Sequence, residues 1–442
     1  MPNNDSEIHS ILKSVFNLDS FRGNQEYIIN TILDKKDSLV LMPTGGGKSL
    51  CYQLPALVFS GTTIVISPLV ALMKDQVDAL RKKNIEAAFL NSTLTYEEQK
   101  EIEIELQDGH IKLLYVSPER IAKKSFQSLL QKCDISMIAI DEAHCVSQWG
   151  HDFRPEYQEL SILSDLFPTV PKLALTATAG ETTRVDIIKS LKLNKPEIFV
   201  SSFDRPNIEY TIQKKTKKDQ NYQRLLNFIQ TDFSNDSGIV YCLSRKKTED
   251  TAKFLKENGI KAYAYHAGMS TKKREVIQDR FLNKKNTVIV ATIAFGMGID
   301  KPDVRFVAHM DLPKCIESYY QETGRAGRDG LFSKAWMLYG MQEVVMIKKM
   351  MNKGVRSIKR QRLNEEKLES MISLSESSIC RREVLLNYFN DPYIGPCLNC
   401  DNCLPNTEIK INNKTIPKQV TKISPKISNK TTTATNNQIF DS

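Results

Sequence analysis

The chain is short of the features that would place it in a membrane or outside a cell. None of its 442 residues fall in an uninterrupted apolar run of the roughly 20 that a spanning helix needs, and the first residues carry no basic-then-apolar leader. The expectation is a soluble cytosolic or nuclear protein with no membrane partner. A strong charge of one sign is missing as well. Lys and Arg number 61 against 52 Asp and Glu, for a formal charge of +9. The segment Leu404–Ser442 alone holds six lysines against Glu408 and Asp441, leaving about +5 for the rest. Charge therefore allows a polyanionic partner without requiring one. Paired cysteines are equally lacking over most of the chain: Cys51, Cys133, Cys145, Cys242 and Cys315 stand singly in apolar or motif-like stretches, as buried thiols of a reducing compartment do.

What is present is a rhythm. Short β-branched runs at Ser38–Met42, Thr63–Ser67, Leu113–Val116, Met137–Ile140 and Leu173–Thr176 alternate with longer helical patterns, which predicts a parallel sheet with crossover helices. The rhythm pauses at Ser201-Ser-Phe-Asp-Arg-Pro-Asn207. It restarts with Gly238–Cys242, Ala262–His266, Val288–Ala291 and Val304–Met310. The expected fold class is α/β, with one parallel-sheet lobe over residues 1–205, a second over 206–340, a small helical module over 341–404, and a low-complexity basic tail over 405–442. Pro417 and Pro425 interrupt the tail's regularly spaced lysines, so disorder is expected there.

Three elements carry chemistry. Met42-Pro-Thr-Gly-Gly-Gly-Lys-Ser49 lies between a strand and a helical run, the context of a phosphate cradle. Gly45, Gly46 and Gly47 free backbone amides for a polyphosphate, Lys48 brings a point charge, and Ser49 offers a hydroxyl to Mg²⁺. A strict loop begins with glycine, and Met42 stands in that place. Asp141 and Glu142 close a second apolar strand, so they should project from the carboxyl edge of the sheet beside that loop. There Asp141 is expected to hold Mg²⁺ and Glu142 to orient and deprotonate the attacking water. Taken alone, Asp-Glu after a strand is usually a helix cap. In the second lobe, Gln321-Glu-Thr-Gly-Arg-Ala-Gly-Arg328 is expected to put Arg325 and Arg328 on one helical face, with Arg328 as an arginine finger. The remaining cysteines, Cys380, Cys397, Cys400 and Cys403, are spaced for tetrahedral Zn²⁺, though an iron–sulfur cluster uses the same ligands.

Phe21-Arg-Gly-Asn-Gln25, the Met42–Ser49 loop, Tyr115-Val-Ser-Pro-Glu-Arg120, Asp141-Glu-Ala-His144, Ala174-Leu-Thr-Ala-Thr178, Ala294–Asp300 and Gln321–Gly330 follow one another in the order that resembles a RecQ DNA helicase. The loop Gln148-Trp-Gly-His-Asp-Phe-Arg154 separates that family from other DEAH-type helicases. The resemblance implies a superfamily 2 motor of two RecA-like lobes, which uses ATP to move 3′ to 5′ on single-stranded DNA. It further implies that Arg22 and Gln25 read adenine, that Thr44 and Asp300 complete the nucleotide contacts, and that His144, Thr176, Thr178 and Gln321 relay nucleotide state between lobes. Trp149, Phe153 and Arg154 would engage DNA, with base stacking worth about 1 to 3 kcal/mol per base. The four cysteines would form a structural zinc module. Leu18 replaces an aromatic residue usual in the family near adenine.

Implied partners are single-stranded DNA, 3′-tailed or forked duplexes, and single-strand-binding or repair proteins, with a monomer expected, associated with the nucleoid in a bacterium. The tail follows the cysteines where relatives carry a winged helix. Intrinsic unwinding is therefore expected to be weak or partner-dependent, which keeps a DNA-stimulated translocase as the alternative. A noncatalytic scaffold comes last.

Overall fold

The computed structural model describes residues 4–404, apart from His151, Met297, Gly298, Asp300 and Arg356. The basic tail and Asp300 thus lie outside the described residues.

The first sheet comprises β1 (Ser38–Leu41), β2 (Thr62–Ile66), β3 (Ala87–Leu90), β4 (Leu113–Val116), β5 (Ile135–Ile140), β6 (Lys172–Thr176) and β7 (Glu197–Val200), in the order β3-β4-β2-β5-β6-β1-β7. Every pairing is parallel, from Ser38 opposite Leu173 to Thr63 opposite Leu113. Strands covered by helices on both faces read as continuous apolar runs, which is why β1, β2 and β4 are buried at every position. Strand β7, at the sheet's edge, is mostly exposed and lacks that signature.

The second sheet contains β8 (Ile208–Lys214), β9 (Ser237–Tyr241), β10 (Ala262–Tyr265), β11 (Val288–Ala291), β12 (Val304–His309) and β13 (Ser333–Tyr339), in the order β10-β11-β9-β12-β13-β8, again all parallel. The linker between lobes is therefore the short stretch from Ser201 to Asn207, with β7 closing one sheet and β8 opening an edge of the other.

Helices Met341–Asn352, Ile358–Glu376 and Arg381–Tyr388 follow β13. The cysteine loop then returns to the exposed edge of the second sheet: the Tyr210 amide donates to the Asn399 carbonyl at 3.3 Å, and the Asp401 amide to the Tyr210 carbonyl at 3.0 Å. An open strand edge is thereby covered. Of the five single cysteines, Cys51, Cys145, Cys242 and Cys315 are buried as expected, whereas Cys133 is only half-buried, just past the end of the helix Lys124–Leu130 where its loop meets solvent.

Candidate nucleotide cleft and DNA interface

Strand order assembles the first half of the cleft. The Met42 amide continues the β1–β6 ladder onto the Thr176 carbonyl (3.1 Å), and the Asp141 amide continues the β5–β2 ladder onto Ile66 (2.9 Å). Because β6 lies between β5 and β1, Thr176 sits between the acidic pair and the phosphate loop at one carboxyl edge. Gly45 and Gly47 adopt left-handed backbone angles (φ 83° and 84°), which a side chain would resist. A Cβ on Gly46 would lie 2.6 Å from Met42 Cγ, so the buried Met42 side chain packs directly beneath the loop.

Lys48 Nζ donates to the carbonyls of Met42 (3.0 Å) and Pro43 (3.4 Å). Burial lowers its pKa against the opposing pull of Glu142 and Asp141. Gln25 is buried with its amide spent on the same loop: Nε2 donates to the Gly47 carbonyl at 3.1 Å, and Oε1 accepts from the Arg22 amide at 2.8 Å. The structure thus places Gln25 as a brace of the phosphate loop, and Arg22 beside it through its backbone.

Glu142 takes the left-handed conformation (φ 49°), uncommon for a residue with a side chain, as the chain turns off β5. Burial and then the charge of Glu142 push Asp141 up to about 7. Burial works against ionisation of Glu142 too, but the hydrogen bond and charge of His144 outweigh it and hold Glu142 below the ordinary carboxylate range. His144, fully buried, is driven in the neutral direction by burial and raised to about 10 by Cys145 and Glu142. Burial also raises the Cys145 thiol, and Glu142 Oε2 lies 3.3 Å from His144 Nδ1.

From His144 a polar chain crosses the cleft. Its Nδ1 lies 2.9 Å from Thr176 Oγ1, the Thr178 amide donates to Thr176 Oγ1 at 3.3 Å, and Gln321 Nε2 of the second lobe donates to Thr178 Oγ1 at 3.5 Å. Thr44, Gly45, Lys48, Ser49, Asp141 and Glu142 face Gln321, Arg325 and Arg328 across a cavity of about 270 Å³. The arginines do reach it, but not from a helical face. The helix Ile316–Thr323 ends before them, its Thr323 hydroxyl turned back onto the carbonyls of Tyr319 and Tyr320, and Gly327 takes a left-handed turn (φ 57°). Both arginines lie in that turn. Sequence reasoning also passed over Arg205, whose guanidinium meets the turn, and Tyr157, whose hydroxyl donates to the Asp141 carbonyl at 3.0 Å. The pause in strand rhythm around Arg205 was the available signal; Tyr157 had none.

The aromatic loop is held by a helix that follows the second lobe. Trp149 is half-buried, with Lys359 Nζ 4.4 Å above its ring. Lys367 Nζ donates to the Trp149 carbonyl (2.7 Å) and Arg360 to that of Gly150 (3.3 Å), so the helix Ile358–Glu376 holds the loop. Arg154 is engaged by Asp152 (3.2 Å) and the Pro68 carbonyl (3.2 Å), while Phe153 is partly exposed. Leu18 packs with Phe21 in a small cluster that also holds Ile8 and Leu12.

Cys380, Cys397, Cys400 and Cys403 bring four sulfur atoms within 4.8 Å of one another. Amides of Arg381 and Asn399 donate to the sulfurs of Cys400 (3.4 Å) and Cys397 (3.3 Å), hydrogen bonds that favour the thiolate form a metal binds. Soft donors at this closeness fit a tetrahedral ion.

Two parallel-sheet lobes with a phosphate loop and an acidic pair on one side of a shared cleft, and arginines on the other, make up the nucleotide cleft of a two-lobed RecA-like core. Residues 22–185 match the DEAD/DEAH box helicase family model, 220–330 the helicase conserved C-terminal domain, and 341–404 the RecQ zinc-binding model. An ATP-dependent DNA helicase RecQ of Pasteurella multocida is 51% identical over 394 residues, covering 89% of this chain and 62% of that protein. The ATP-dependent helicase SGS1 of Saccharomyces cerevisiae is 44% identical over 407 residues, covering 89% of this chain and 28% of its own. A solved structure of Mss116p bound to ssRNA and AMP-PNP superposes with a TM-score of 0.66 over 87% of this chain and 89% of that one; at 16% identity the likeness is one of fold. The chain belongs to the RecQ family of superfamily 2. It spans about three-fifths of the length of the bacterial relative, 62%.

Proposed function

We propose that the chain is an ATP-dependent DNA helicase that moves 3′ to 5′ along single-stranded DNA and unwinds 3′-tailed or forked duplexes in repair and recombination. The observation that carries this is the single cavity in which Lys48, Ser49, Asp141 and Glu142 of one lobe face Gln321, Arg325 and Arg328 of the other. Lys48 and the amides of Gly45–Gly47 bind the nucleotide phosphates, Lys48 exchanging its present carbonyl partners for them. Ser49 and Asp141 are hard oxygen ligands suited to Mg²⁺, which when bound neutralises charge on the phosphates. Glu142, held ionised by His144, accepts the proton of the attacking water, and Arg328 with Arg325 stabilises the charge that develops on the transferred phosphoryl group. Gln25 and Arg22 shape the adenine end, Leu18 takes the place of an aromatic there, Thr44 joins the phosphate loop's contacts, and Asp300, outside the described residues, is assigned to nucleotide binding by its motif.

The path from His144 through Thr176 and Thr178 to Gln321 couples this chemistry to the relation between lobes. DNA enters the coupling at Trp149, Phe153 and Arg154: a base stacking on Trp149 displaces Lys359 from its ring, and that basic group is then available to phosphate. The four cysteines would hold Zn²⁺, and a bound ion would tie together the module that grips this loop.

Substituting Lys48→Ala and measuring ATP hydrolysis with and without single-stranded DNA tests the motor, and strand displacement on a 3′-tailed duplex tests unwinding. A wild-type protein that hydrolyses no more ATP with DNA than without it overturns the reading. Metal analysis of the purified protein decides between zinc and an iron–sulfur cluster.

A further inference from the structure

The turn carrying Arg325 and Arg328 has no helix to hold it, and its carbonyls need donors. They find them in the linker. Arg205 Nη2 donates to the carbonyls of Ala326 (2.8 Å) and Gly327 (2.9 Å), and Nη1 to that of Gly324 (3.1 Å). The same Nη1 donates to the carbonyl of Thr44, in the phosphate loop of the other lobe, at 3.2 Å. One planar guanidinium therefore joins the two walls of the nucleotide cleft. The walls are close at this point: a Cβ on Gly45 would lie 3.2 Å from Arg328 Cγ, and one on Gly324 would lie 3.5 Å from Thr44 Cβ.

Arg205 is itself held from behind. Asp204 pairs with Arg382 of the helix Arg381–Tyr388. Phe203 stacks on Phe389 at 4.9 Å with ring planes 16° apart, its amide donates to Asp391 at 2.7 Å, and its carbonyl accepts from the Tyr320 hydroxyl at 2.7 Å. Beyond Arg205, Asn399 donates to the carbonyls of Pro206 (2.9 Å) and Ile208 (3.1 Å). The cysteine module thus grips the linker on both sides of Arg205.

We propose that Arg205 is a positioning residue for hydrolysis: its guanidinium, aimed by the module that contains the four cysteines, sets the arginine turn against the phosphate loop and so places Arg328. This rests on the function proposed above. Lysine is no substitute, because a point charge on a flexible stem cannot present a rigid fork to carbonyls from two lobes at once.

The test compares Arg205→Lys, Arg205→Gln, Arg328→Ala and the double Arg205→Gln/Arg328→Ala variant, each in the full chain. Readouts are DNA-stimulated kcat, affinity for a fluorescent ATP analogue, melting temperature, and the distance between spin labels on the two lobes in nucleotide-free protein. Misplacing a reacting group by about 1 Å can cost about 10²-fold in rate. The expected result is a kcat loss of that order in both Arg205 variants with nucleotide affinity near wild type, a broadened distance distribution, and a double variant no slower than Arg328→Ala alone. Wild-type turnover by Arg205→Lys, losses that multiply in the double variant, or an unchanged distance distribution would overturn it. Should Arg205→Gln fail to fold, Arg205→Lys, which keeps the charge, decides the matter. Absence of DNA-stimulated hydrolysis in the wild type would instead strike the proposed function.

Discussion

The two lobes share an architecture and differ in how they present their chemistry. In the first, the functional groups grow out of strand ends: Met42 extends β1, Asp141 extends β5, and Thr176 ends β6, so the sheet itself sets their spacing. In the second, Arg325 and Arg328 lie in a turn between the helix Ile316–Thr323 and β13, and hydrogen bonds from Arg205 in the linker fix that turn. A sheet edge needs only its own ladder, whereas an irregular turn needs donors from elsewhere. The placement of the second lobe's arginines thus depends on a segment outside that lobe's own sheet.

Substitutions in each wall can break or sharpen this contrast. Arg328→Ala should give the largest effect, a loss of about 10³ to 10⁵ in the rate of ATP hydrolysis with nucleotide still bound. A smaller loss than that of its first-lobe counterpart would mean that the turn is peripheral. That counterpart is Glu142→Gln, which removes the proposed base and should lower turnover by about 10² to 10⁴ while leaving nucleotide affinity intact, as read by single-turnover kinetics. Trp149→Ala should weaken activation by single-stranded DNA by about tenfold to a hundredfold, following the value of one stacked base. Basal hydrolysis should hardly change, and an equal loss of both would return Trp149 to a packing role. The smallest effect belongs to Gln321→Ala. One neutral hydrogen bond at 3.5 Å joins it to Thr178, so DNA stimulation should fall by less than about tenfold with basal turnover retained.

Some residues were legible in the chain because local rules sufficed. Gly45 and Gly47, required by backbone angles, and carboxylates immediately after an apolar run announce themselves by neighbours in sequence. The arginine turn misled because two arginines three apart suit a helix, while Gly324 and Gly327 between and before them end one. Trp149 was legible as an aromatic in a loop, but its partner Lys359 lies more than two hundred positions away. The contact of the Gln25 amide with the Gly47 carbonyl was likewise not legible in the sequence.

The sequence alone determined the two α/β lobes, the phosphate loop, the acidic pair and the four-sulfur cluster, because each depends on periodicity or spacing within a short stretch. Only the tertiary structure decided that Thr176 stands between loop and acids, that the helix Ile358–Glu376 covers Trp149, and that Arg205 spans the cleft. Those relations are set by strand order and by hydrogen bonds between distant segments, which no local pattern of residues encodes.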